Sequence, residues 1–141
     1  MIHKHASAVW TGSLKEGGGT VTTQSGAITG LPYSHATRFA DKKGANPEEL
    51  VGAAHASCYA MFLSALMSGA GIGGITVEAT STIGLDPATD GGPTVKTAAL
   101  SVRVKADADA AAIRDFAEKA KTGCPISKLL RADVTLELTI L

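Results

Sequence analysis

Aromatic residues make up only 4% of this 141-residue chain, and cysteine occurs just twice. A core so poor in rings must be filled by aliphatic and small side chains, and abundant glycine and alanine favour closely packed helices. Neither sign of charge prevails, since 13 Lys and Arg oppose 13 Asp and Glu. That balance, with no basic run interleaved with aromatics, argues against a nucleic-acid surface. The opening Met1-Ile2-His3-Lys4-His5 has no apolar h-region, so no secretory signal is expected. The longest apolar stretch, Leu50 to Met67, carries His55 and several small residues and reads as a core helix rather than a membrane span. The chain also lacks a C-x-x-C motif, a helical H-x-x-x-H pair, a phosphate loop and a serine elbow. Its scattered histidines (His3, His5, His35 and His55) do not form a ligand set, so neither metal nor cofactor is expected.

What is present fits one domain over residues 1–141, long enough to bury roughly two thirds of its unfolded surface without a disulfide. Short strands are expected over Ile2–Thr11, Thr20–Gln24 and Ala27–Leu31, followed by an irregular polar segment, Pro32 to Gly44. Asn46 then caps a helix of about 23 residues, with Pro47 in its first turn and Glu49 as capping partner. Leu50, Ala54, Cys58, Met61, Ala65 and Leu66 recur along it at helical spacing. Because it is apolar on nearly all sides, this helix is expected to be central or shared with a second subunit. Ile75–Leu85 and Thr94–Lys105 alternate as strands, Asp107 or Asp109 caps a second helix, Pro125–Leu130 forms a short one, and Ala132–Leu141 alternates again. The order predicts an α+β fold with a largely antiparallel sheet.

Two cysteines without a secretion signal point to a reducing, cytoplasmic setting, where a transient bridge is more plausible than a permanent one. Cys124, between Gly123 and Pro125, stands at a helix start, where backbone N–H groups favour a thiolate, with Lys128 one turn on. Cys58 lies mid-helix among apolar residues, which raises a thiol pKa, so it needs a cation from elsewhere. Arg38 is the candidate, and Glu48 can orient it through a bidentate pair. Plainer readings stand beside these: Cys124 as a packed small residue, Arg38 as a loop charge, Glu48 and Glu49 as an acidic first turn, His55 as a hydrogen-bonded helix residue. Since Glu48 and Cys58 are about 15 Å apart along one straight helix, direct contact within a chain is not expected, which motivates a dimer.

The strings Asn46-Pro47-Glu48-Glu49-Leu50 through Ala54-His55-Ala56-Ser57-Cys58, Thr37-Arg38-Phe39 and Gly123-Cys124-Pro125-Ile126-Ser127 resemble the signature of the OsmC/Ohr thiol peroxidases. The stretch His5 to Gly12 with Trp10 and the turn Gly19-Thr20-Val21 resemble it too, closest to the osmotically inducible branch. The resemblance implies largely antiparallel sheets packed on a long central helix, in an intertwined homodimer. It implies reduction of organic hydroperoxides, and of hydrogen peroxide less well, with no metal, haem or flavin. By position, Cys58 would be the peroxidatic thiol, Cys124 the resolving thiol, and Arg38 and Glu48 the assisting pair. A dithiol such as a lipoyl group, on a lipoylated protein, would be the reductant. Ser57, where alanine is usual, and Asp41, set one residue beyond the usual acidic position, are departures. Two further readings remain open: a non-catalytic module binding a small ligand, and a structural protein stapled by a Cys58–Cys124 bridge.

Overall fold

Small polar and β-branched residues at the start of the chain build an antiparallel meander of β1 (Ala6–Thr11), β2 (Gly18–Thr23) and β3 (Leu31–Tyr33). The computed structural model describes residues 1–141 and divides into two compact units, residues 1–50 and 51–141. The meander belongs to the first. Its register pairs Trp10 with Gly19 and Gly19 with Tyr33. Glycine is required there, because a Cβ at Gly19 would come within 2.6 Å of the Tyr33 ring, which packs 5.4 Å from the Trp10 ring.

Of the strand expected over Ala27–Leu31, only Leu31 is extended, at the start of β3, and residues 27–30 bend instead. The Thr23 hydroxyl accepts from the Ile28 N–H, and Gly26 and Gly30 take positive φ angles of 76° and 61°, which break the extended backbone. The segment read as irregular holds a five-residue helix, α1 (His35–Phe39). Ser34 caps it by accepting from the Thr37 N–H at 3.2 Å, while Thr37 Oγ1 accepts from the Ser34 N–H at 2.9 Å. The capping box escaped notice because threonine stands where glutamate or glutamine is the usual signal.

Helix α2 (Pro47–Gly69) has the expected 23 residues, and Asn46 Oδ1 accepts from the Glu49 N–H at 2.8 Å. Its buried stripe is Gly52, His55, Tyr59, Leu63 and Met67. Of the residues that recur at helical spacing in the sequence, Ala54 and Ala65 are exposed, and Met61 is 73% exposed. A helix apolar all round carries no periodic signal to say which side the core takes. By length and composition α2 is apolar enough to cross a membrane, yet its stripe packs into the core of the second unit.

That core is completed by β4 (Thr76–Asp86), β5 (Thr94–Lys105), α3 (Ala110–Gly123), α4 (Pro125–Leu129) and β6 (Asp133–Ile140). Asp109 caps α3 by accepting from the Ala112 N–H at 2.8 Å. Strands order β4-β5-β6, with β4 antiparallel to β5 but β6 parallel to it, from Thr97↔Asp133 to Val104↔Ile140. The remaining pairings are antiparallel, so the fold is α+β with two small sheets. The parallel pairing follows from the intervening α3 and α4, a crossover long enough to return the chain in the same direction. Leu100, Val102 and Val104 of β5 meet Leu63 and Met67 of α2 and Ile113 of α3. Each such fully buried side chain contributes roughly 1.5–3 kcal/mol. The Tyr59 hydroxyl, taken into this core, donates to the Ala117 carbonyl at 3.1 Å.

Candidate active site

The two cysteines, 66 positions apart in sequence, meet inside the second unit with their Sγ atoms 2.9 Å apart, and both are free thiols. Cys58 is half-buried on α2. Cys124 is fully buried at the junction of α3 and α4, where its N–H closes α3 on the Ala120 carbonyl and Pro125 opens α4. Gly123 permits the approach, since a Cβ there would lie 2.7 Å from the Phe62 ring of α2.

Their surroundings differ. Burial pushes the Cys58 thiol up, and its hydrogen bond with Cys124 adds to that; only the Ile126 N–H pulls back. Burial also opposes ionisation of Cys124. There the hydrogen bond with Cys58, the N–H and hydroxyl of Ser127 and the Ile126 N–H outweigh it, holding Cys124 below the usual thiol range. Lys128, offered from the sequence as a helper, is exposed; the groups acting on Cys124 are backbone N–H donors and a hydroxyl.

His55 is fully buried beside this pair. Its Nδ1 lies 2.8 Å from Ser81 Oγ and its Nε2 2.9 Å from Ser127 Oγ. Burial lowers its pKa, so the ring is neutral at pH 7. Sequence reasoning took His55 for a packed, hydrogen-bonded residue, and so it is packed. It missed Ser127 as a participant, although the hydroxyl lay in the quoted Gly123–Ser127 string.

Arg38 and Glu48 pair within the first unit. Arg38, in the last turn of α1, donates from Nη2 to Glu48 Oε1 at 2.6 Å and from Nε to both carboxylate oxygens at 3.2 and 3.1 Å. Glu48 sits in the first turn of α2, and the guanidinium carbon lies 5.2 Å from the centre of the Phe39 ring. Such a fork fixes a guanidinium while leaving N–H groups free for a second acceptor. Arg38 also lines an apolar cavity of about 300 Å³ with Trp10, Leu14, Tyr33, His35 and Phe39. Met61, on the other hand, faces solvent, and Phe62 packs against the core. The four predicted residues thus fall into two pairs, each within one unit.

A family model described as OsmC-like protein matches residues 40–139. Peroxiredoxin OsmC of Escherichia coli strain K12 is 42% identical over 136 residues, which are 96% of this chain and 95% of that protein. The Shigella flexneri protein of the same name matches to the same extent. Among solved structures, the organic hydroperoxide resistance protein OhrB of Bacillus subtilis has a TM-score of 0.71 at 26% identity, covering 96% of this chain and 98% of that one. An OsmC-like protein of unknown function from Vibrio cholerae reaches a TM-score of 0.76 at 15% identity, over 98% of this chain and 99% of the other. At that identity the likeness speaks to the fold alone.

Proposed function

The chain belongs to the OsmC family, and from that premise we propose that it is a thiol-dependent peroxidase reducing organic hydroperoxides to alcohols, and hydrogen peroxide less well. The observation that carries this reading is the meeting of the chain's two cysteines with their sulfurs 2.9 Å apart.

Cys58 is the attacking thiol. Half-buried and pushed above the usual thiol range, Cys58 needs a positive charge to ionise, a role this proposal gives to Arg38, held by Glu48. The Cys58 sulfur attacks the distal peroxide oxygen, the O–O bond breaks, and the alkoxide takes the proton displaced from Cys58 and leaves as alcohol. Cys58 is then a sulfenic acid. The Cys124 thiolate attacks that sulfur, so the S–S bond forms and the S–O bond breaks. The departing hydroxide takes a proton from solvent and leaves as water. A dithiol, such as a lipoyl group on a carrier protein, restores both thiols by exchange through a mixed disulfide. The aromatic cavity beside Arg38 suits an organic tail, each buried methylene adding about 0.8 kcal/mol. The working unit in this proposal is one domain, residues 1–141, acting as a homodimer in the cytoplasm and protecting against oxidative stress.

Steady-state consumption of cumene hydroperoxide with dihydrolipoamide or dithiothreitol tests the reading. Wild type should turn over and Cys58→Ser should not. Substantial residual turnover in Cys58→Ser would refute the assignment. Ligand binding indifferent to that substitution, in a chain without turnover, would favour a binding module instead.

A further inference from the structure

The peroxidase cycle leaves one proton without a carrier. When the O–O bond of a hydroperoxide breaks, the organic fragment departs as an alkoxide. An alkoxide is about as basic as hydroxide, whose parent water has a pKa of ~15.7, so its departure is slow unless a proton arrives as the bond breaks. Arg38 cannot deliver it, because a guanidinium does not give up its proton in proteins.

His35 is placed to do so. It stands three residues before Arg38 on α1, a spacing that sets the two side chains on one helix face, and both line the apolar cavity of about 300 Å³. Its ring is half-buried and packs, tilted, with its centroid 4.9 Å from that of Phe39. The buried His55 has both ring nitrogens engaged by serine hydroxyls; no residue hydrogen-bonds the nitrogens of His35, which leaves them to a ligand. Among the polar groups in the cavity wall, at Tyr33, Ser34, His35 and Arg38, imidazole is the chemical type that exchanges a proton near neutral pH. A hydroperoxide with its O–O group at Arg38 and its organic tail in the cavity turns the oxygen bonded to the tail towards the wall that His35 shares with Arg38. That oxygen is the one that leaves.

We propose that His35 is the general acid of the reaction, donating its proton to the alkoxide oxygen as the O–O bond breaks. The inference rests on the peroxidase reading and adds a catalytic residue to it. The Cys58 sulfur bonds to the distal oxygen with its own electron pair and becomes a sulfenic acid. Both electrons of the O–O bond go to the departing oxygen, and the proton from His35 makes it an alcohol. The proton displaced from Cys58 passes to solvent, and His35 regains one from there. A residue that merely closed the cavity wall could be phenylalanine with no loss.

Two substrates with the same ring but different leaving groups test this. Cumene hydroperoxide expels an alkoxide, which needs a proton; perbenzoic acid expels a carboxylate, which is stable as an anion at pH 7. The readout is the second-order rate constant for thiol loss in a single turnover of reduced protein, with no dithiol added. His35→Phe, which keeps a ring against Phe39, should lower that constant about 10²-fold for cumene hydroperoxide and leave it at the wild-type value for perbenzoic acid. His35→Gln, polar but with no proton to transfer, should do the same, and it serves if the phenylalanine variant fails to fold. Equal losses with both substrates, or no loss with either, in a folded variant would overturn the inference while wild-type oxidation by cumene hydroperoxide upheld the peroxidase reading. A wild type whose thiols survive cumene hydroperoxide would sink the two together.

Discussion

A thiol in the middle of an apolar helix is a poor anion, and Cys58 is one. Its rise from burial makes Arg38 the most consequential single side chain of the proposal. Arg38→Ala is expected to lower kcat/KM for an organic hydroperoxide by roughly 10²-fold, the scale of losing one preorganised donor, and to raise the Cys58 pKa. Unchanged kinetics would remove Arg38 from the site, whereas Arg38→Lys, which keeps the charge but not the fork, should fall between the two. His55 makes a prediction of its own. Burial holds it neutral in the folded chain, while in the unfolded chain it takes up a proton as pH falls through about 6.5. Below that value the unfolded state binds more protons, so stability is lost as pH drops towards the lowered folded pKa and is fully present above the unfolded one. Urea midpoints should decline from about pH 7.5 to about pH 5.5; a flat profile would contradict this. At this scale, legibility followed residue type. Cys58, Cys124, Arg38 and Glu48 could be singled out because thiols, a guanidinium and a carboxylate carry chemistry wherever they stand. Ser127 could not, because a serine becomes informative only when its neighbours are known.

Elements were easiest to read where local rules set them. Asn46 and Pro47 fixed the start of α2, Asp109 was one of two candidate caps for α3, and alternation marked β4, β5 and β6 as strands. The errors came where local rules tie. Hydroxyl-closed turns replaced most of the strand expected at Ala27–Leu31, and the face of α2 could not be chosen on a helix apolar all round. Gly52 belongs to that true face. Its Cβ-less backbone lies against β4, and a Cβ there would stand 2.9 Å from the Ser81 carbonyl oxygen. Gly52→Ala sets two effects against each other. Alanine gains about 1 kcal/mol of helix propensity, but forcing a methyl against a backbone oxygen costs about 1–3 kcal/mol. Since the opposing atom is main chain and cannot swing aside, the clash should win, with a net loss of about 1 kcal/mol. A urea midpoint at or above that of wild type would show that β4 yields instead.

Across the whole molecule, the α+β class followed from element order, but the parallel β5–β6 pairing did not, because strand direction is decided by how the crossover packs. The meeting of the two sulfurs was expected from there being only two cysteines and from the resemblance, since no local pattern links positions 58 and 124. That separation has a physical effect. A bond between Cys58 and Cys124 would close a loop of 66 positions, and on chain-entropy grounds it would stabilise the folded state by about 4 kcal/mol. Calorimetry on peroxide-treated protein should find a melting temperature higher by on the order of 10 °C than in the dithiol-reduced form; equal values would count against the bond. The reacting bond would then also be a clamp, so the protein would be toughest when it is exhausted. Under sustained peroxide the population would drift towards the heat- and protease-resistant form, and only the arrival of electrons would loosen it again.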